Sequence, residues 1–211
     1  MRVALLATTV LVSACSGTSG FDSFANFLDG PRPETVETAV DLPPVTQSGA
    51  NDLASFTVTS LIDGSTGTFA IQPHGSGIRA RQDNGCDWTR SSWFAPSDSW
   101  TNCGTSTNWH SAQATVRVLD PLFPLTVGST GTFERAATSV TGRTQLRRTT
   151  CEVTGIEVVI RPGQTDMPAY VVVCDDTRRE RTTWYAPDQG PVAFLQVSAQ
   201  GDVEEAWIRT E

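Results

Sequence analysis

The sequence predicts an all-β fold: an antiparallel meander, sandwich or half-barrel, organised as two related halves with disulfide-stapled hairpins. Three observations carry that expectation. Apolar and polar residues alternate over short runs, turn signals separate the runs, and two short motifs recur in the same order. Phe56, Val58 and Ser60 alternate with Thr57 and Thr59. Ala112, Ala114, Val116 and Val118 alternate with Ser111, Gln113, Thr115 and Arg117. A period of two sends the two sets to opposite faces of a strand. Val192, Phe194 and Val197 fall in a late strand, and Glu205–Arg209 closes the chain. Asp63-Gly64, His74-Gly75, Asn84-Gly85, Pro162-Gly163 and Gln189-Gly190 supply the turns between such runs.

The recurring motifs set the halves. Gly64-Ser65-Thr66-Gly67-Thr68-Phe69 returns letter for letter at Gly128–Phe133. Arg90-Ser91-Ser92-Trp93-Phe94-Ala95-Pro96 is echoed by Arg181-Thr182-Thr183-Trp184-Tyr185-Ala186-Pro187. Two motifs in the same order point to a duplication. Asp120-Pro121-Leu122-Phe123-Pro124 divides it into residues 53–120 and 121–211. On this reading Trp93 and Trp184 are equivalent anchors at strand ends. Arg90 and Arg181 then share a face with Phe94 and Tyr185, directed to solvent or across a Tyr or Phe ring.

Charge narrows the function classes. The net charge is −8 and the pI about 4.7, and the Arg178, Arg179, Arg181 cluster is interleaved with Asp175, Asp176 and Glu180. No nucleic-acid partner is expected from such a balance. Lysine is absent, and all 15 basic residues are Arg. That removes Schiff-base chemistry and the phosphate-loop lysine.

Residues 1–14 read as a signal peptide. Arg2 is its basic start, and Val3–Val12 is an apolar run too short to span a bilayer. Val12-Ser13-Ala14-Cys15 resembles the lipobox of bacterial lipoproteins. The resemblance implies cleavage before Cys15 and acylation of that residue, which makes the membrane a partner through a lipid anchor. Ser16 follows the cysteine, and the family's sorting rule then implies the outer membrane, on its periplasmic or surface face. Residues 15–52 read as a tether and linker: Phe21, Phe24, Phe27 and Leu28 have helical spacing, and Pro31–Asn51 is rich in Pro, Thr and acids.

Four further cysteines, Cys86, Cys103, Cys151 and Cys174, allow three disulfide connectivities in an exported protein. Hairpin geometry selects one. The midpoint of Cys151 and Cys174 falls at Pro162-Gly163, and that of Cys86 and Cys103 falls between Phe94 and Ala95, just before Pro96-Ser97-Asp98. Each pair therefore staples its own hairpin, and a bulge near Gly155 adjusts the second register. No Cys-x-x-Cys occurs, and His74 and His110 lack matching ligands, so neither metal nor cofactor is expected.

Catalytic signals are thin. His110 could serve an envelope hydrolase, but no Gly-x-Ser-x-Gly elbow accompanies it, and His74 lies in a Pro-His-Gly turn. Trp88, Trp93, Trp100 and Trp109 cluster beside Asp87, Asp98, Asn102 and Asn108. They can stack on a glycan, and they can equally pack a core around the Cys86–Cys103 bridge. Packing is the favoured reading, with Trp88 and Trp100 paired across the hairpin.

The element Trp184-Tyr185-Ala186-Pro187-x-x-Gly190-x-Val192, with Pro124-Leu125-Thr126-Val127-Gly128 before it, resembles a signature of β-sheet envelope proteins of Gram-negative bacteria. The resemblance covers about residues 122–211. It implies a twisted antiparallel sheet in the cell envelope and no catalytic residues. The expected function is a binding or structural role there, with a glycan or an envelope protein as partner.

Overall fold

Alternation of period two, broken by tight turns, builds hairpins in which each strand pairs with the next. The computed structural model describes residues 30–104, 106 and 108–211. Cys15, the signal peptide and the Phe21–Leu28 segment lie outside the described residues. Strand β1 (Thr35–Glu37) and the short helix α1 (Gln47–Asn51) come first. The wall begins with β2 (Phe56–Ser60), β3 (Thr66–His74), β4 (Gly77–Gln82), β5 (Asp87–Arg90), β6 (Ser99–Thr101) and β7 (Ala112–Asp120). It continues as β8 (Thr130–Ser139), β9 (Thr144–Val159), β10 (Met167–Asp175), β11 (Arg179–Ala186), β12 (Gly190–Ser198) and β13 (Val203–Arg209).

Pairing does not stop at the last hairpin. Strand β13 returns to β2 through Trp207↔Ser60, Ile208↔Thr59 and Arg209↔Val58. The result is a closed antiparallel barrel of twelve strands, a closure that the alternation alone did not specify. The 121–129, 160–166 and 187–189 connections lie at its upper rim, and the 83–86, 140–143, 176–178 and 199–202 turns at its lower rim. Strand β9 is long enough to serve two neighbours. Its lower part pairs with β8 and its upper part with β10, while β1 joins its upper edge at 157–159.

The lumen is a filled core. Phe56, Phe69, Trp88, Phe133, Val153, Tyr170, Val172, Tyr185 and Trp207 point inward from the wall. Residues 91–98, between β5 and β6, fold into this core as a plug, with Ser92, Trp93, Phe94, Ala95 and Ser97 all buried. Trp93 meets Trp88 at 5.6 Å between ring centroids and Phe56 at 6.0 Å, and Phe94 meets Tyr185 at 5.3 Å. Residues 42–53, read from sequence as linker, cap the upper end. The Tyr170 hydroxyl donates to the Leu42 carbonyl (2.8 Å), Val45 bridges Leu125, and Asn51 donates to the Ser76 and Ser91 carbonyls. Composition suggested a free tether for this stretch; apolar Leu42, Val45, Ala50 and Leu53 instead draw it onto the core.

A second apolar cluster covers the outer face of β10 to β13: Val171, Trp184, Leu195 and Ile208 are all buried there. Gly30 lies against Val203, and the Glu34 carbonyl accepts from the Ile160 amide (2.9 Å). The chain between therefore runs over this outer face as a strap, in which Pro33 is buried.

The expected equivalence of Trp93 and Trp184 fails. Arg181–Ala186 lies in strand β11, with Trp184 outside and Tyr185 inside, whereas Ser91–Pro96 belongs to the luminal plug and Trp93 is inside. Pro187 opens a tight turn that sends β12 straight back, while Pro96 continues into the plug. Arg181 is corrected as well: it shares the face of Tyr185, as expected, but that face is the lumen and not solvent.

The bridges are Cys86–Cys103 and Cys151–Cys174, the pairs that turn-centred spacing selects. Cys151 and Cys174 are direct cross-strand partners, and the register slips at Thr154, where Val171 faces Gly155 and Val172 faces Val153. The loops close over sequence separations of 17 and 23 residues. Replacing Cys151 and Cys174 together with Ala should cost about 3 kcal/mol by the loop-entropy argument, read from urea denaturation under non-reducing conditions. An unchanged midpoint would show that the unfolded chain gains nothing from the bridge. Trp184 is 6% exposed and its indole N–H donates to Glu157 (2.7 Å). Trp184→Ala should therefore cost about 3–5 kcal/mol in the same assay.

Candidate functional site

The lower lumen is where the wall turns from apolar to charged. Along β11, Arg181, Thr183 and Tyr185 alternate inward; along β13, Glu205 and Trp207 do; along β5, Trp88 and Arg90 do. Between them lies a cavity of about 100 Å³, bounded by Phe69, Trp88, Trp93, Phe194 and Trp207 and by Arg90, Arg181, Thr183 and Glu205. Cys174 and so the Cys151–Cys174 bridge reach its edge.

The charged groups are held differently. The Arg90 guanidinium stacks on Trp88, 4.0 Å from the ring centroid, and donates to Ser97 Oγ (3.1 Å) and to the Trp93 carbonyl (3.0 Å). It thereby fastens the plug to the wall. Arg147 pairs with Asp176 at 3.2 Å, and Arg179 with Glu204 at 2.6 Å on the lower rim. Arg135 lies 5.0 Å from the Trp100 ring centroid. Glu205 accepts the Trp207 indole N–H at 3.0 Å. Among the described residues, Arg181 makes no hydrogen bond and no ion pair, and no side-chain hydrogen bond is made by Thr183.

Crowding of cations in low dielectric shows in the protonation equilibria. Burial, with repulsion from Arg181 and Arg135, pushes Arg90 down to about 9. Burial, with Arg147 and Arg181 nearby, pushes Arg135 down to about 10. Burial lowers Arg181, with Asp176 the main compensation. All three guanidiniums still carry their charge at neutral pH. Burial raises Glu205 above the ordinary carboxylate range, against the opposing pull of the Trp207 hydrogen bond and of Arg90, Arg179 and Arg181.

Of the residues singled out from sequence, Trp88 and Trp93 line this cavity. Trp88 and Trp100 are cross-strand partners, as expected. Trp100 and Trp109 stack lower down, with ring centroids 6.5 Å apart and the Trp100 indole donating to the Trp109 carbonyl. Trp88 and Trp93 are buried, and Trp100 and Trp109 are half-buried. His110 lies in the connection between β6 and β7, outside the cavity lining, and the Ser111 hydroxyl beside it accepts from the Asn102 amide. His74 ends β3 and borders a shallow outer cleft with Arg79, Arg81 and Asp87, where Asp87 holds both arginines. Among the described residues no cluster of His, Cys, Asp and Glu could hold a metal ion.

Sequence reading missed Arg90, Arg181, Thr183 and Glu205 as a set. One local signal was available: Arg181 and Thr183 share the strand face of Tyr185, which is fully buried. No protein-family model, curated protein or solved structure matches the chain.

Glu205 makes the site sensitive to pH. Its raised value means that the folded state keeps a proton that the unfolded chain releases near the reference value of 4.5. Its contribution to stability is greatest in acid and is lost as the pH rises through the raised value. Glu205→Gln, which keeps an acceptor for Trp207, should remove that decline. Melting temperatures of both proteins, followed upward from pH 4.5, should diverge in favour of the variant; a gap that stays constant with pH would contradict the assigned burial of this carboxyl.

Proposed function

We propose that the chain is an outer-membrane lipoprotein, anchored by acyl chains on Cys15, whose barrel is a binding module in the aqueous space of the cell envelope. The observation that carries the binding role is the unfilled lower lumen, where aromatic walls and unsatisfied donors meet around one cavity. The polarity of the wall supports the aqueous setting. Away from the strap-covered apolar cluster on β10 to β13, its outer face carries Arg117 paired with Glu134 and Arg79 and Arg81 paired with Asp87. A barrel that crosses a membrane has the reverse arrangement, with an apolar band outside. Anchoring through the N-terminus rather than by insertion fits this distribution. A glycan or an envelope protein as partner remains part of the proposal, on the outer surface rather than in so small a cavity.

The anchor is tested by fractionation and mass spectrometry. The wild-type protein should partition with membranes and carry acyl chains on Cys15, and Cys15→Ala should appear in the soluble fraction with its barrel intact. An unmodified N-terminus in membrane-bound wild-type protein would refute the anchor.

A further inference from the structure

Nearly every buried polar group in a folded protein has a partner, and a buried charge without one is strongly destabilising. Two half-buried arginines that face the lumen, Arg135 and Arg181, have no carboxylate or hydrogen-bond partner among the described residues; Arg135 lies instead over the Trp100 ring, which leaves Arg181. It projects from β11 into the lower lumen, and among the described residues its guanidinium neither hydrogen-bonds nor ion-pairs. Glu205 borders the same cavity but forms no ion pair with Arg181 or with Arg90. Arg147, Arg79, Arg81, Arg117 and Arg179 each have a carboxylate within reach. The Thr183 hydroxyl, two residues along the same inner face, lines the cavity with no hydrogen-bond partner of its own. Gln82 also borders it, with its carbonyl oxygen accepting from Asn84.

Arg90 and Arg181 set two cations against the one carboxyl of Glu205 in this lining, so the net charge facing the chamber is positive. We propose that the lower lumen is a receptor site for a small oxyanion, held by Arg181 and Thr183 with Arg90 as the second cation. This rests on the reading of the lumen as a binding site. The cavity of about 100 Å³ sets the size. A space of that size suits a sulfate, a phosphate or a short carboxylate such as acetate. Guanidinium groups bind such anions through paired N–H donors, and exclusion of bulk water strengthens the bond. Arg90 is already oriented by Ser97 and the Trp93 carbonyl, so the receptor is largely formed before the ligand arrives.

The test uses the full chain in detergent, titrated with phosphate, sulfate and acetate at constant ionic strength made up with chloride. Trp88, Trp93 and Trp207 line the cavity and report through their fluorescence. A saturable change is expected with at least one oxyanion and not with chloride, together with a rise in melting temperature. Arg181→Met should bind at least about tenfold more weakly, as befits loss of a charge-assisted pair, and should melt higher than wild type without ligand. Arg117→Met, on the outer wall, should bind like wild type. Thr183→Val serves if Arg181→Met does not fold, with weakened binding again expected. Equal affinity in the wild type and the luminal variants, or no saturable change with any of the three anions, would overturn the oxyanion site. Native mass spectrometry of protein taken from its own membranes separates the two levels. A neutral or cationic molecule retained in the barrel would sink the oxyanion inference and keep the binding module, whereas an empty lumen and no response to any ligand would sink both.

Discussion

A twelve-strand wall encloses more space than its own side chains fill readily, and the rest of the molecule depends on that constraint. Eight strands give an interior that side chains just occupy, and sixteen or more leave a channel. This barrel lies between those cases. It recruits backbone to its interior: the 91–98 plug enters between β5 and β6, and residues 42–53 close the upper end. Aromatic rings supply the remaining volume, with Phe56, Phe69, Trp93 and Trp207 in one contiguous group. The plug is held by Arg90, so a charged group in the lumen has a structural role as well as the one inferred for ligand binding.

The same shortage of filling material explains the position of the site. The upper lumen receives Leu42, Val45, Leu122 and Leu125 from the cap and the upper connections, against Tyr170 of β10. At the lower rim the 83–86, 140–143, 176–178 and 199–202 turns are short, and the longer 102–111 connection brings Trp109 against Trp100. Arg90, Arg181 and Glu205 complete the lining there, and long side chains bound a space without closing it. Polar groups that would be costly in a packed core are tolerated because a cavity is beside them.

Much of the fold was legible because its determinants are local. Alternation located the strands, Gly163 with positive φ located the hairpin between β9 and β10, and equal spacing from turns found both disulfides and the Trp88–Trp100 pair. Closure was not legible. It depends on β13 meeting β2, about 150 residues apart, and a three-pair seam leaves no mark on either strand. The lumen site was hidden for a related reason. Arg90, Arg181 and Glu205 come from three separated strands, and each taken alone resembles an ordinary surface charge. Repetition misled more actively. Arg-x-x-Trp-aromatic-Ala-Pro forms a strand end once and a buried plug once, because the residues after each proline set the path: Asp188-Gln189-Gly190 turns the chain back, and Ser97-Asp98 does not.

The attachment of β1 to the barrel bears on how the molecule takes a load. A pull arriving from the N-terminal side reaches the strap at Gly30–Glu34 and then the three pairs that join β1 to the upper edge of β9. Those pairs can part in sequence, since β1 is an addition to the sheet and not a member of the closed ring. Strand β9 keeps its bonds to β8 and β10 throughout. The first mechanical event is then the release of a few residues of extra reach, with the ring of strands and its luminal chamber left undisturbed.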